Sequence, residues 1–141
     1  MADIVACLNC GQRNRVQPAA SGTPVCGACR TALPWIADAG DDTFAEVVER
    51  SPLPVIVDLW APWCGPCRMV GPALEQVARD LAGRVKLAKV NVDTAPQLAQ
   101  RFAVQAVPTL MVVAGGQVKA RQSGAASAAA LRRWVEQVLS S

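Results

Sequence analysis

Trp63-Cys64-Gly65-Pro66-Cys67 constrains the fold more than any other stretch of the chain. Before it runs Pro54-Val55-Ile56-Val57-Asp58-Leu59-Trp60, short, apolar and rich in β-branched residues, which reads as a buried strand. After it, Val70, Leu74, Val77, Ala78 and Leu81 recur at helical spacing. The two cysteines therefore lie at a strand-to-helix turn, with Cys64 at or near the helix N-terminus. Positions i and i+3 share a helix face, so their sulfurs can meet. The free N–H groups and positive dipole end there favour a thiolate. Pro66 fits the first helical turn, where its missing N–H costs nothing.

That chemistry is thiol–disulfide exchange. The attacking group is a thiolate, so one cysteine must be exposed and partly ionised near neutral pH. Cys64, at the helix start and next to Trp63, is the expected nucleophile. Cys67, one turn in, is expected to be more buried and to attack second. Gly65 lets a substrate backbone approach and Pro66 stiffens the turn. A purely structural disulfide is the alternative, but a loop this short gives little entropic stabilisation. Asp58 is an acid in an otherwise apolar strand, and alternation with Val57 and Leu59 puts it alone on one face. A carboxyl buried there has a raised pKa and can exchange protons near neutrality. Trp60 and Trp134 read as packing residues.

The remaining pattern sets the fold class. A strand at Trp35-Ile36-Ala37 precedes a helix capped by Asp41-Asp42-Thr43 and running to Arg50, with Phe44, Val47 and Val48 buried. The long helix after the cysteines is interrupted by Pro72, which should kink it, and ends at Gly83. A strand follows over Val85 to Val92, then a short helix from Ala95 to Phe102 with Pro96 near its first position. Thr109 to Ala114 and Val118 to Arg121 form a hairpin over Gly115-Gly116. Ser127 caps a last helix carrying Leu131, Trp134, Val135 and Val138. The order βαβαβαββα predicts an α/β domain: a mixed sheet with helices on both faces.

Two further Cys-x-x-Cys knuckles, Cys7-Leu8-Asn9-Cys10 and Cys26-Gly27-Ala28-Cys29, stand 15 residues apart. That spacing is read as a four-cysteine zinc site. Gly11 and Gly27 are expected to allow the tight turns. Arg15-Val16-Gln17 and Thr23-Pro24-Val25 are expected to pair around Ser21-Gly22 as a zinc ribbon, too small for its own core and held by the metal. Extra redox pairs or disordered thiols are the alternative. The domains are then residues 1–33, the ribbon, and 34–141. Trp35 follows Cys29 with no Gly/Ser linker, so the ribbon should rest against the main domain.

Composition narrows the function. There is no histidine, which excludes Cys–His and Ser–His catalysis and His-ligated metals. The net charge of +3 is too small to argue for nucleic acid. Residues 1–33 carry a net +2, which four thiolates around one zinc ion would neutralise. No apolar run approaches the ~20 residues of a membrane span. The N-terminus lacks the basic start and apolar core of a secretory signal, so a cytoplasmic, reducing location is expected.

Val57-Asp58-Leu59-Trp60-Ala61-Pro62-Trp63-Cys64-Gly65-Pro66-Cys67 resembles the thioredoxin family almost letter for letter. The likeness continues through Lys86-Leu87-Ala88-Lys89-Val90-Asn91-Val92-Asp93, Val107-Pro108-Thr109-Leu110, Gly115-Gly116 and Gly124. It covers roughly residues 35–140. With the four extra cysteines, the chain is similar to the zinc-carrying second thioredoxin type of bacteria. The resemblance implies the thioredoxin fold and a protein-disulfide reductase re-reduced by a flavin/NADPH thioredoxin reductase. Its clients would be disulfide-containing proteins such as reductases and peroxidases. It implies that Asp58 lies behind Cys67 as its proton acceptor, with Lys89 nearby. By itself Lys89 reads equally well as an ordinary edge charge. It also implies a cis Pro108, with Val107 left free to pair with substrate, and a client site drawn from Trp63, Gly65, Pro66, Val107, Pro108 and Gly124. One structural zinc on Cys7, Cys10, Cys26 and Cys29, no bound organic cofactor and a monomer complete the expectation. The rival readings are a zinc-ribbon adaptor or redox-sensing binding protein, and a thiol oxidase or isomerase.

Overall fold

In the computed structural model, which describes residues 3–20 and 22–140, two sheets form. The larger has the order β3-β5-β4-β6-β7, from β3 (Ile36–Ala39), β4 (Val55–Trp60), β5 (Lys86–Asn91), β6 (Thr109–Ala114) and β7 (Gln117–Ser123). β3, β5 and β4 run parallel, while β6 and β7 are antiparallel. This is the expected mixed sheet. Helix α1 (Gly65–Asp80) links β4 to β5, α2 (Pro96–Arg101) follows β5, and α3 (Ala128–Leu139) closes the chain. Alternation along β4 builds two cores. Val55, Val57 and Leu59 join Ala88, Val90, Met111, Phe44 and Leu98 on one face. Ile56 joins Leu87, Leu110, Val70, Leu74, Leu131 and Val135 on the other, under α1 and α3.

Local expectations hold where one residue decides them. Gly115 and Gly116 both have positive φ, 58° and 78°, as a tight hairpin needs. Ser127 Oγ accepts from the Ala130 N–H at 3.2 Å. α1 runs through Pro72 to Asp80.

Two expectations are corrected. The helix capped by Asp41 to Thr43 is only a short wide turn, Ala45–Glu49, whose N-cap Phe44 offers no side-chain bond. Thr43 Oγ1 instead accepts from the Gly40 N–H, and Asp41 caps α2, accepting from Gln97 and Leu98 at 3.2 and 3.0 Å. The N-terminal strands also differ. β1 (Asp3–Ala6) pairs antiparallel with β2 (Arg13–Val16), so the first knuckle sits at a hairpin tip. Around the second knuckle Val25 makes one bridge with Ala32. Each hairpin thus closes on its own cysteines rather than on its neighbour. The expected turn at Ser21-Gly22 includes Ser21, outside the described residues.

The N-terminal module rests on the start of the parallel strands. Trp35 is fully buried in a third cluster with Cys7, Val16, Cys26 and Leu33, and its Nε1 donates to Gln17 O at 3.0 Å. Lys86, 0 % exposed, lies between module and domain. Its Nζ donates to Pro18 O and to Val47 O, and sits 4.0 Å from the centre of the Trp35 ring. Burial pushes its pKa down to about 8. Gly83 has φ +83° and a Cβ there would stand 2.9 Å from Ala32 Cβ, so it serves both the helix end and the docked module. Lys86→Ala should strand two carbonyls and leave a void. We expect a loss of about 2–4 kcal/mol, read by urea unfolding, whereas a loss near zero would mean the module is only loosely seated.

Candidate functional site

β4 ends at Trp60, and the chain turns through Ala61-Pro62-Trp63 into α1. Cys64 is the N-cap of α1, and its Sγ accepts from the Cys67 N–H at 3.1 Å. A sulfur therefore takes the place of the usual capping oxygen. Negative charge at that Sγ is favoured by this bond and by the helix N-terminus together. Cys64 and Cys67 form a disulfide. Their exposures are 4 % and 6 %, so the expected contrast in burial is not there; hydrogen bonding and helix position separate them instead. Both pack against Ala61, Trp60, Val92 and Val107.

The surroundings divide in two. In front, Trp63 is 70 % exposed and its Nε1 donates to Asp93 Oδ1 at 3.3 Å. A hollow of about 250 Å³ lies beside it, lined by Trp63, Val92, Val104, Gln105 and Val107. The Val107–Pro108 bond is cis. Pro108 O accepts from the Gly124 N–H at 3.0 Å, and Gly124 has φ +93°. Gly65 has open space where a Cβ would point, and Pro66 is exposed in the first turn of α1. Behind, a cavity of about 380 Å³ is lined by Asp58, Trp60, Cys67, Arg68, Glu75 and Lys89. Asp58 is 1 % exposed, and its Oδ1 has no hydrogen-bond partner. Burial pushes its carboxyl up to about 6, with the Lys89 ammonium opposing and the Glu75 carboxylate adding to the rise. Lys89 is half-buried and pairs with Glu75 at 3.3 Å. The sequence did not single out Glu75; its spacing from Arg68 and Pro72 on α1 was the available signal.

Asp58 sets a stability profile. Its folded pKa of about 6 exceeds the ordinary 3.8, so the ionised form is disfavoured in the fold. Its contribution to stability should be full below about pH 3.8, fall as pH rises from there to about 6, by about 3 kcal/mol in total, and level off above. Asp58→Ala should flatten that fall, leaving the variant the more stable protein at neutral pH. Urea unfolding at about pH 3.5 and about pH 7.5 reads the change, and an unchanged slope in the variant would refute it.

At the other end of the sheet the two knuckles face one another. The Sγ atoms of Cys7, Cys10, Cys26 and Cys29 all lie within 4.8 Å of each other, with Cys7–Cys29 and Cys10–Cys26 at 3.6 Å. A tetrahedron with metal–sulfur bonds of ~2.3 Å needs sulfurs ~3.8 Å apart, so the four residues fit a metal ion. The knuckles match residue for residue. Gly11 donates to Cys7 O at 2.8 Å and Arg30 to Cys26 O at 2.9 Å. Gly11 and Arg30 take positive φ, 78° and 66°; Gly27, expected to serve the second turn, does not. Gly27 N–H instead donates to Asn14 Oδ1 at 3.0 Å. The Thr31 hydroxyl and Asn9 amide draw Cys29 down to about 5. The Gln12 backbone draws Cys10 down, but the Cys29 and Cys26 sulfurs outweigh it and push that thiol up to about 12. Four thiols this close compete for their protons, and a divalent cation would take all of them as thiolates.

A Cys-x-x-Cys disulfide capping the helix after a central strand, beside a cis proline and a buried carboxyl, defines a dithiol–disulfide protein. The family model described as Thioredoxin matches residues 36–137. The chain is 46 % identical to "Thioredoxin" of Allochromatium vinosum, over 68 % of this chain and 90 % of that one. It is 42 % identical to "Thioredoxin" of Haemophilus influenzae, over 69 % and 91 %. To "Thioredoxin C-3" of Corynebacterium nephridii it is 37 % identical over 96 % and 95 %, a match that reaches into the N-terminal module. The chain belongs to the thioredoxin family and is a thiol–disulfide oxidoreductase. Among the described residues no helix is long and apolar enough to cross a membrane.

Proposed function

We propose that this protein is a cytoplasmic protein-disulfide reductase of the zinc-carrying thioredoxin type, with a metal module at 1–33 and a reductase domain at 34–141. The observation that carries the reading is the Cys64 sulfur as helix cap, with Cys67 one turn in and Asp58 across the cavity behind it. In the dithiol form, the Cys64 thiolate attacks one sulfur of a client disulfide. A Cys64–client disulfide forms and the other client sulfur leaves as a thiolate, which takes a proton. Cys67 then passes its proton to Asp58 and attacks Cys64 Sγ. The Cys64–Cys67 disulfide forms as the Cys64–client bond breaks, and the second client sulfur leaves as a thiolate that takes up a proton, so the client departs as a dithiol. Two electrons have moved to the client. A flavin/NADPH thioredoxin reductase would restore the dithiol.

The Lys89 ammonium, at the distance Glu75 leaves it, supports the ionised form of Asp58 that accepts the proton. Trp63, Gly65, Pro66, Val107, Pro108 and Gly124 form the client surface in front. Cys7, Cys10, Cys26 and Cys29 would hold one structural zinc, which supplies folding energy to the module; four thiolates leave no open position for substrate. Lys86 pairs with Val55 at the β4–β5 end under the module, and Asn91 with Trp60 at the end near Cys64. Those ends are five residues apart, roughly 17 Å at strand rise, so the module stands away from the exchange site. The test is reduction of insulin with NADPH and thioredoxin reductase. Turnover at catalytic concentration supports the reading, and zinc-loaded protein without turnover favours an adaptor.

A further inference from the structure

We propose that Glu75 is a positioning residue for the proton step: its carboxylate holds the Lys89 ammonium on the wall of the cavity behind Cys67, and so sets how closely that charge approaches Asp58. The inference rests on the reading of Asp58 as proton acceptor.

Asp58 on β4 and Lys89 on β5 are direct partners in the parallel register, so both side chains leave the same sheet face. A buried, unpartnered carboxylate beside an ammonium should draw it into contact. Here it does not. Asp58 Oδ1 has no hydrogen-bond partner, and Lys89 Nζ lies 3.3 Å from Glu75 Oε2 instead. Glu75 can compete because α1 crosses above. Arg68, Gly71, Pro72 and Glu75 recur at helical spacing and wall the cavity. Gly71 leaves the space: a Cβ on it would already touch Lys89 Nζ, at 4.0 Å.

The charged and titratable groups facing Asp58 are thus Cys67, Arg68 and Glu75 from α1 and Lys89 from β5, while its β6 partner is the apolar Leu110. Closing Lys89 onto Asp58 would lower the carboxyl's pKa and weaken it as a base for the Cys67 thiol. Glu75 prevents this in two ways: it holds the ammonium away and adds a negative charge of its own. Both charges act on Asp58 in that sense: the Lys89 ammonium lowers its pKa and the Glu75 carboxylate raises it.

The test follows the Asp58 carboxyl carbon by NMR titration of the full, zinc-loaded chain in the disulfide form, where neither Cys64 nor Cys67 titrates. Glu75→Gln should lower the Asp58 pKa by on the order of one pH unit and move the acid limb of insulin reduction down with it. Lys89→Gln removes what Glu75 positions. In that background Glu75→Gln should lower Asp58 by roughly half as much or less. Equal drops in both backgrounds would overturn positioning and leave Glu75 a bare charge; no drop in either would overturn the inference outright. A parent Asp58 titrating at the ordinary carboxylate value would overturn the proton-acceptor reading beneath it, and the two failures are told apart in the same spectra.

Discussion

Replacing Cys64 with serine is expected to slow protein-disulfide reduction at least about a thousandfold, and replacing Cys67 to halt the cycle with the client still attached. The asymmetry follows from the helix cap. The group that stabilises the Cys64 sulfur is the backbone N–H of residue 67, at 3.1 Å, and that N–H survives Cys67→Ser. The variant therefore keeps an activated thiolate and forms the mixed disulfide, but has no second thiol to resolve it. Cys64→Ser loses the thiolate itself, since a serine hydroxyl does not ionise near neutrality. Its remaining Cys67 sits inside the first turn of α1, away from the cap position. Insulin precipitation gives the rates. A Cys64→Ser variant that reduces insulin at a tenth of the parent rate or faster would refute the assignment.

Zinc loss is expected to unfold the N-terminal module while the five-stranded sheet persists. The module's cluster contains few large apolar residues besides Trp35 and Leu33, and two of its buried members are the cysteines Cys7 and Cys26. On the proposed zinc reading its order should depend on the metal, worth ~10 kcal/mol or more in small structural sites at neutral pH. Cys26→Ala, at a fully buried proposed ligand, should abolish zinc binding. It should also expose the β1–β2 amides to hydrogen exchange and uncover Trp35 and Lys86, with a fall in stability. The parent should hold one zinc per chain by elemental analysis, and the Cys64→Ser/Cys67→Ser double variant the same. Parent protein without metal after purification free of chelators would contradict the zinc assignment, as would a Cys26→Ala module with unchanged amide protection.

The parts of this molecule visible in the sequence are those fixed by short-range chemistry. The Cys64–Cys67 turn, the Gly115-Gly116 hairpin and the Ser127 cap each depend on residues within a few positions of one another, and each forms as expected. The misses come from long range. Asp41 looked like a cap for its own segment but caps α2, more than fifty residues on, because tertiary packing brings that helix start to it. Lys86 and Lys89 are three residues apart on one strand and so face opposite sides. One is sealed under the module and the other borders the cavity, and nothing local distinguishes them. The Cys-x-x-Cys spacing carried the four-sulfur cluster but not its strands, since β1 lies before the first cysteine, in a stretch too short to show alternation. Asp58 was legible because a lone acid among Val57, Leu59 and Ile56 carries a desolvation cost that packing alone does not offset. Glu75 was not, because a glutamate on a helix surface carries no such cost and so stands out from nothing around it.

The central claim is that Cys64 makes the bond to the client. The direct measurement is mass spectrometry of Cys67→Ser incubated with a disulfide-bonded protein such as insulin, digested without reductant. The expected product is a mixed disulfide between the client and the peptide carrying Cys64. Client attached through Cys7, Cys10, Cys26 or Cys29 instead, or no adduct at all from a folded, zinc-loaded variant, would contradict it.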